Sequence, residues 1–343
     1  MKTRYESIRE FLSWIENERR PEGKVLITLP SLLSSGGVFT ILEIVKFLQR
    51  KHEVILFVEN GNIHSDVVDV LTKLSCRIYS DHLFSIVPFS PFTHILVHSD
   101  SPNANFFFDL QADNKYLLKW GHMTYCREWE DKTLQLPWDK ILVSTKFLYD
   151  KTLENVSPET KVEIIGWYHF THSFFDNPNY KEDMRPPICI GYFDSDAIHE
   201  KNSREAREII ESLPAEDFQI YSIGSAIERS GEISCGFLDR EGLSSLMKQL
   251  DIWLSPNINE GLNRMALEAF SASTLVIARH DDSHAFFKDR VNCFTYKTVP
   301  EAVEKIKAPY DYKNIKKNAY EYAKSMASLE QELKFAHTVM SHF

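Results

Sequence analysis

Residues Lys24–Val58 read KVLITLPSLLSSGGVFTILEIVKFLQRKHEVILFV, and the hydrophobic period changes twice along them. KVLITL (24–29) is a nearly unbroken apolar run, the pattern of a strand covered on both faces as in a parallel sheet. The turn-rich PSLLSSGG follows. VFTILEIVKFLQRK then puts Val38, Ile41, Leu42, Val45 and Leu48 on one side of a helix, and EVILFV (53–58) returns to a strand pattern. The stretch is a strand-loop-helix-strand unit, the building block of an α/β fold.

Outward from this unit the alternation continues. Strands are expected at CRIYS (76–80), THILVH (93–98), KYLLKW (115–120), KILVST (140–145) and KVEIIG (161–166), which makes residues 1–166 one doubly wound domain. Upstream, Ile8, Phe11, Leu12 and Ile15 fall at helical spacing. Residues 167–187 mix aromatics, Asn, Pro and charges without a period and read as a linker. A second alternation fills 188–321: strands at ICIGYF (188–193), FQIYSIG (218–224), ISCGFL (233–238), DIWLSP (251–256), TLVIAR (274–279) and NCFTY (292–296), with helices at about 202–212, 240–249 and from 261. Beyond position 309 the chain lacks Gly and Pro and has a helical composition.

With 343 residues, 43% of them hydrophobic, the chain can fill two cores, which excludes a disordered tail or a small disulfide scaffold. The 39 Lys+Arg against 49 Asp+Glu give a net charge of -10, which works against binding a phosphate backbone. The five cysteines are odd in number and widely spaced, as expected in a reducing cytoplasm. Neither a signal-like apolar core nor an apolar run of roughly 18 residues occurs. The expectation is a soluble cytoplasmic protein, with peripheral membrane contact left open.

Two places could carry chemistry. Gly36 and Gly37 sit between the first strand and its helix, where bare amides can face an anion. The pair is neither G-x-G-x-x-G nor a Walker motif, and two glycines in an ordinary turn are the plain alternative. The stronger signal is DIWLSPNINEGLNRMALEAFSASTLVIA (251–278), with Glu260 in a strand-to-helix loop, Gly261 after it and Glu268 farther along. A helix starting near 261 separates the two carboxylates by about 12 Å, too far for a glycosidase pair at roughly 5–9.5 Å. A loop carboxylate, the amides of Gly261, Leu262 and Asn263, and a second carboxylate instead suit a sugar, a diphosphate and a ribose diol.

Other polar groups invite plainer readings. Asp194-Ser195-Asp196 fits a D-x-D metal pattern, but such a tripeptide is common and here follows a second-domain strand; His280, Asp281, Asp282 and His284 look like ligands on paper, but they meet no established zinc spacing and a polar loop explains them. No metal site is expected. His98 and His169 read as cleft-wall or buried imidazoles, and no G-x-S-x-G elbow is present.

Residues 251–278 resemble the signature of the GT-B retaining glycosyltransferases of family 4, the E-x7-E type of glycosyl transferases group 1. The similarity runs from about Lys24 to Tyr296: SSGGVFTILEIVKFLQRKHEVILF is similar to the family's first glycine loop, helix and second strand, KYLLKWGHMTY to the strand ending near its active-site histidine, and CGFLDREGLSSLMKQLDIWLSP to its donor half. The resemblance implies two Rossmann-like doubly wound domains facing a central cleft, with a C-terminal helix at about 322–343 packing back on the first. It implies that Glu260 holds donor sugar hydroxyls, that the amides of Gly261, Leu262 and Asn263 hold the diphosphate, and that Glu268 holds the ribose. His122 would contact the sugar or reacting centre, Gly36 and Gly37 the phosphate side, and Lys201 the phosphates, with Arg204 as its substitute. Three departures stand out: EGLN in place of EGFG, Gly191-Tyr192 in place of Gly-Arg, and HDDSHAFFKD (280–289) in place of a glycine-rich sugar-contacting loop bearing a glutamate.

The implied activity is a retaining, metal-independent hexosyl- or pentosyltransferase that moves a sugar from a UDP- or GDP-sugar to an acceptor hydroxyl. No cofactor is required. The acceptor would be a glycan, a lipid-linked glycan or another hydroxyl compound, in glycan, glycoconjugate or polysaccharide synthesis. The departures motivate a second reading, a catalytically weak sugar-nucleotide-binding subunit. Transfer to a modified nucleobase in DNA is a third, disfavoured by the net charge, and a GT-B phosphorylase or epimerase a fourth.

Overall fold

The structure is a computed structural model that describes residues 23–32, 36–61, 63–80, 91–120, 132–168, 170–176, 178, 184–195, 201–224, 227, 230–308 and 312–343. The chain divides into two compact units, residues 1–169 with 332–343, and residues 170–331. His122, Cys126, His169, Asp196 and the expected N-terminal helix lie outside the described residues.

Unit 1 holds strands β1 (Gly23–Leu29), β2 (His52–Val58), β3 (Arg77–Ser80), β4 (Phe92–His98), β5 (Ala112–Lys119), β6 (Lys140–Val143) and β7 (Val162–Ile164). They form one sheet in the order β3-β2-β1-β4-β5-β6-β7, and every pair is parallel. The apolar runs of β1, β2 and β4 are buried because helices α1 (Gly36–Leu48), α2 (Ser65–Leu71), α3 (Ala104–Asp109) and α4 (Lys146–Leu153) separate the strands in sequence, and a parallel crossover lays them on the faces. One core joins Leu26, Ile55, Phe57, Ile95, Leu117 and Trp138. Gly37 sits close against Trp120, where a Cβ would lie 3.3 Å from Cδ1.

Unit 2 holds β8 (Ile188–Phe193), α5 (Ser203–Glu211), β9 (Phe218–Ile223), β10 (Glu232–Ser234), α6 (Arg240–Gln249), β11 (Ile252–Ser255), α7 (Arg264–Ser271), β12 (Leu275–Arg279), β13 (Phe294–Tyr296), α8 (Val299–Lys307) and α9 (Tyr312–Met326). Its sheet runs β10-β9-β8-β11-β12-β13, again with every pair parallel. Ile190, Ile220, Leu254, Ile277 and Phe294 pack one face with Ala206, Ile209 and Ile306 from the helices. Close packing fixes Gly191, since a Cβ there would lie 2.2 Å from Leu250 Cδ1.

The structure departs from the sequence expectation in three places. Residues 170–176 lie in unit 2, where a 3₁₀ turn (His172–Phe174) buries Phe174 and the Ser173 carbonyl accepts the Ser244 hydroxyl at 2.9 Å. The helix expected from 261 begins at Arg264, because Asn263 caps it by accepting the Ala266 amide at 3.2 Å. The C-terminal helix expected over 322–343 is two helices, α9 and α10 (Leu329–His342), and the Ser328 hydroxyl accepts the Gln331 amide at 3.4 Å to start the second. The α10 residues from Glu332 on belong to unit 1, where Phe335 is buried near Phe47 and Glu332 bonds Lys46 at 3.0 Å. Among the described residues no helix is long and apolar enough to cross a membrane.

Candidate functional site

In an open parallel sheet a ligand site forms where the strand order reverses, because the loops leaving the two central strands diverge and open a crevice at their C-terminal ends. In unit 2 that point lies between β8 and β11. The loop after β8 delivers Lys201, and the loop after β11 delivers Glu260. Their side chains meet there: Lys201 Nζ donates to Glu260 Oε1 at 2.5 Å, with 14% and 18% of the two side chains exposed.

A directed chain of hydrogen bonds holds the other carboxylate oxygen. Asn263 Nδ2 donates to Ser255 Oγ (2.6 Å), Ser255 Oγ donates to Asn257 Oδ1 (3.0 Å), and Asn257 Nδ2 donates to Glu260 Oε2 (2.5 Å). Asn263, Ser255 and Asn257 are all buried. Because each donor is also an acceptor farther up the chain, the bonds polarise one another toward the carboxylate. Asn263 therefore does two jobs with one amide, capping α7 through Oδ1 and, through Nδ2, holding the Ser255 hydroxyl that orients Asn257 toward Glu260. Between them, the amides of Gly261, Leu262 and Asn263 find no acceptor among the described residues. Three open N–H groups ahead of a helix N-terminus, beside a lysine, suit an anion.

Glu268 lies one turn inside α7 and is 6% exposed. Its Oε1 accepts Arg240 Nη2 at 2.6 Å and Arg264 Nε at 2.9 Å, and Arg240 also donates to Thr171 Oγ1. No protein hydrogen bond reaches Oε2 among the described residues. Burial alone would raise this carboxyl, but the two guanidinium groups outweigh it and hold Glu268 below the usual carboxylate range. Burial, with repulsion from Arg240, pulls Arg264 down to about 10, so the triad stays charged near neutrality.

The loop after β12 closes against this group. Burial would raise Asp281, but the Ser283 hydroxyl and the Ser283 and Asn259 amides bond its carboxylate and hold it low. Asn259, at φ +51°, turns its amide toward Asp281 and so staples the two loops together. Arg279, at the end of β12, pairs with Glu205 on α5.

Not every expected residue joins the cluster. Arg204 lies on the exposed side of α5, 87% exposed at the side chain and paired with Glu208. Tyr192, where the resembling family has arginine, is fully buried and donates to Glu232. Asp194 is buried against Arg207 at 2.5 Å. Gly36 and Gly37 open α1 in unit 1. Among the described residues no three His, Cys, Asp or Glu side chains are placed to hold a metal ion. Sequence reasoning missed Ser255, Asn257 and Arg240. The first two flank Pro256 in the quoted motif and could have been found as polar residues at a strand end, whereas Arg240 gave no signal.

Structural comparison finds solved proteins that match 92–94% of this chain. HepE of Anabaena, solved with UDP-glucose, covers 94% of this chain with 100% of its own at TM-score 0.73 and 11% identity. The fold is GT-B. Sucrose-phosphate synthase of Thermosynechococcus elongatus matches 94% of this chain over 99% of its own, at TM-score 0.69 and 13% identity. WaaG, a glycosyltransferase of lipopolysaccharide biosynthesis, matches 92% over 99%, at TM-score 0.67 and 14% identity. No protein-family model and no curated protein matches the sequence. At these identities the likeness carries the fold, and function has to be argued from the site.

Proposed function

We propose that the protein is a glycosyltransferase that takes a sugar from a nucleoside diphosphate sugar bound in unit 2 and passes it to an acceptor hydroxyl. The observation that carries this reading is the Lys201–Glu260 pair at the sheet's switch point, next to three open amides. The diphosphate occupies the amides and draws Lys201 off Glu260, which frees a carboxylate to accept sugar hydroxyl protons. Glu268 Oε2 accepts from the ribose diol. UDP or UDP-glucose bound to HepE supports a nucleotide-sugar as the donor.

As the glycosidic bond breaks, charge builds on the leaving diphosphate, where Lys201 and the amides already point. In this reading Glu260 accepts sugar hydroxyl protons and Glu268 is tied to two arginines, so neither is assigned as a nucleophile. Following the family resemblance, the reading is transfer with retention, in which a donor phosphate oxygen takes the acceptor proton and no metal takes part. His122 contacts the reacting centre, Gly36 and Gly37 serve the phosphate side, and unit 1 supplies the acceptor.

The test incubates the protein with UDP-, GDP-, ADP- and TDP-sugars and a panel of alcohol and glycan acceptors. Proton NMR follows nucleoside diphosphate release and the anomer formed. The reading expects one donor to be turned over with retained configuration, and Glu260→Gln to abolish turnover. The buried Tyr192 and the arginines on Glu268 favour a second reading, a sugar-nucleotide-binding subunit, which would show saturable donor binding and no turnover with any acceptor.

A further inference from the structure

Arg240 touches none of the groups assigned to the diphosphate or the sugar, yet its guanidinium holds three partners in three directions. Nη2 spends one hydrogen on Glu268 Oε1 (2.6 Å) and the other on Thr171 Oγ1 (2.9 Å), and Nε donates a second bond to the same hydroxyl (3.2 Å). Its Cζ lies 5.0 Å from the centroid of the Phe174 ring. A rigid, planar fork of donors suits such a junction, where a lysine would offer only a point charge. Arg264, the other arginine on Glu268, sits four residues earlier on the same helix and moves with it. Arg240 comes from α6, so of the two it is the one that fixes Glu268 against a different element. Burial would raise the Glu268 carboxyl, and Arg240 comes ahead of Arg264 in holding it down.

Thr171 gives this junction its meaning. Unit 2 begins at Phe170, so Thr171 is in the segment by which the chain enters from unit 1. That segment is packed onto unit 2: Phe174 is buried, the Ser173 carbonyl accepts the Ser244 hydroxyl of α6, and Phe175 meets Tyr320 of α9 edge-on at 5.9 Å. Helix α9 in turn sets Tyr322 against Phe270 of α7 at 6.4 Å. The entering segment therefore reaches α7 by two routes, an aromatic one through α9 and a polar one through Arg240.

The polar route can carry a signal. The terminal torsion of a glutamate is broad, and both arginines bond Oε1, which leaves the carboxylate plane room to swing. A hydroxyl donating to Oε2 removes that swing, and because the carboxylate is planar the bond from Oε1 to Arg240 is fixed in the same act. The guanidinium is planar too, so its grip on Thr171 tightens with it.

We infer that Arg240 is a positioning residue that couples the ribose site at Glu268 to the segment entering unit 2, ordering the carboxylate with one Nη2 hydrogen and Thr171 with the other. The inference rests on the nucleotide-sugar reading, which puts a ribose diol on Glu268, and adds the element of the fold that senses it.

The test compares UDP, GDP, ADP and TDP, each beside its analogue without the ribose 2′ and 3′ hydroxyls, in calorimetric titrations of wild type, Thr171→Val and Thr171→Ser, with a thermal melt of each variant. Val keeps the shape of Thr171 and removes the hydroxyl, whereas Ser keeps the hydroxyl. Coupling between two sites is reciprocal, so a ligand that orders Thr171 must bind less well when Thr171 cannot be ordered. In Thr171→Val the affinity of the diphosphate relative to its analogue falls about 5- to 10-fold, while the analogue stays within about threefold of its wild-type affinity, which also shows that the site has folded. Thr171→Ser keeps the wild-type ratio. Hydrogen exchange reads the other direction: the diphosphate, and not the analogue, raises protection over residues 170–176 in wild type and in Thr171→Ser, and fails to in Thr171→Val. A purely structural Thr171 would lower the melting temperature of Thr171→Val and leave both the ratio and the ligand-dependent protection at wild-type values. That result overturns the coupling and leaves the nucleotide-sugar reading standing, as does a Thr171→Ser protein that loses the ratio, or a wild type that binds a diphosphate and its analogue equally. Wild type that binds none of the four diphosphates overturns that reading and this inference together.

Discussion

Removing Glu268 isolates a buried carboxylate shared by two arginines in unit 2. In Glu268→Ala two buried guanidinium groups, Arg240 and Arg264, lose the carboxylate between them and face each other. Their side chains are only 17% and 12% exposed, so water replaces the lost partner only in part. Breaking one member out of a buried ion network costs about 3–5 kcal/mol. With a urea m-value of ~2 kcal/mol per M for a unit of this size, the midpoint of unit 2 falls by about 1.5–2.5 M. Glu268→Gln, which keeps the shape and one acceptor, loses less, about 1.5–3 kcal/mol. Because two units can unfold separately, hydrogen exchange read peptide by peptide is the assay: protection across β11 and β12 drops by the stated amount while β1 and β4 keep theirs. A Glu268→Ala protein within ~1 kcal/mol of wild type in β11 and β12 would refute the triad as a structural element. The same result bears on ligand assays, since a ligand shift lost in Glu268→Ala reports folding as much as ribose contact, and Glu268→Gln is the better probe.

Three further outcomes follow from single sites. His94 is buried beside His52, Tyr116 and Phe343, and burial first, with repulsion from His52, lowers its pKa to about 4. The unfolded chain then binds a proton that the folded one refuses between pH 6.5 and 4, so stability of unit 1 falls as pH drops through that window, by on the order of 3 kcal/mol; His94→Phe should flatten the slope of a pH series of urea melts. Asn263→Ala removes the α7 cap and the first link of the chain to Glu260, so unit 2 should lose about 1–2 kcal/mol and donor affinity should fall with it in calorimetry; full donor affinity would show that the chain to Glu260 is dispensable. Gly191→Ala forces a Cβ onto Leu250 and should cost about 1–3 kcal/mol in a thermal melt.

The strands were legible because parallel strands covered on both faces must be apolar throughout, and KVLITL, EVILFV and TLVIAR have no other place to go. Helix limits were less so. Nothing in EGLNRM says whether Gly261 or Arg264 opens the helix until Asn263 is seen to accept the Ala266 amide, and nothing in the last thirty residues marks a break except Ser328. At the site, Glu260 could be named because loops at strand ends are where polar side chains gather and Lys201 because the family resemblance calls for a phosphate-binding lysine, yet their mutual contact spans 59 positions and depends on β8 and β11 being neighbours. Arg240 was invisible for the same reason: a first-turn arginine on α6 reads as an ordinary surface charge, and only the fold brings it to Glu268. His284 reads in HDDSHAFFKD as one of four polar groups that look like ligands on paper, and burial of its ring is a property of the packed loop that the sequence does not show.

The central claim is that the switch point of the unit 2 sheet holds a nucleoside diphosphate. Titrating UDP, GDP, ADP and TDP into wild type and Lys201→Met tests it most directly. The account predicts that one diphosphate binds wild type and loses about 10- to 100-fold in affinity without the Lys201 ammonium. A folded wild type that binds none of the four at millimolar concentration, or a diphosphate whose affinity is the same in Lys201→Met, would contradict it.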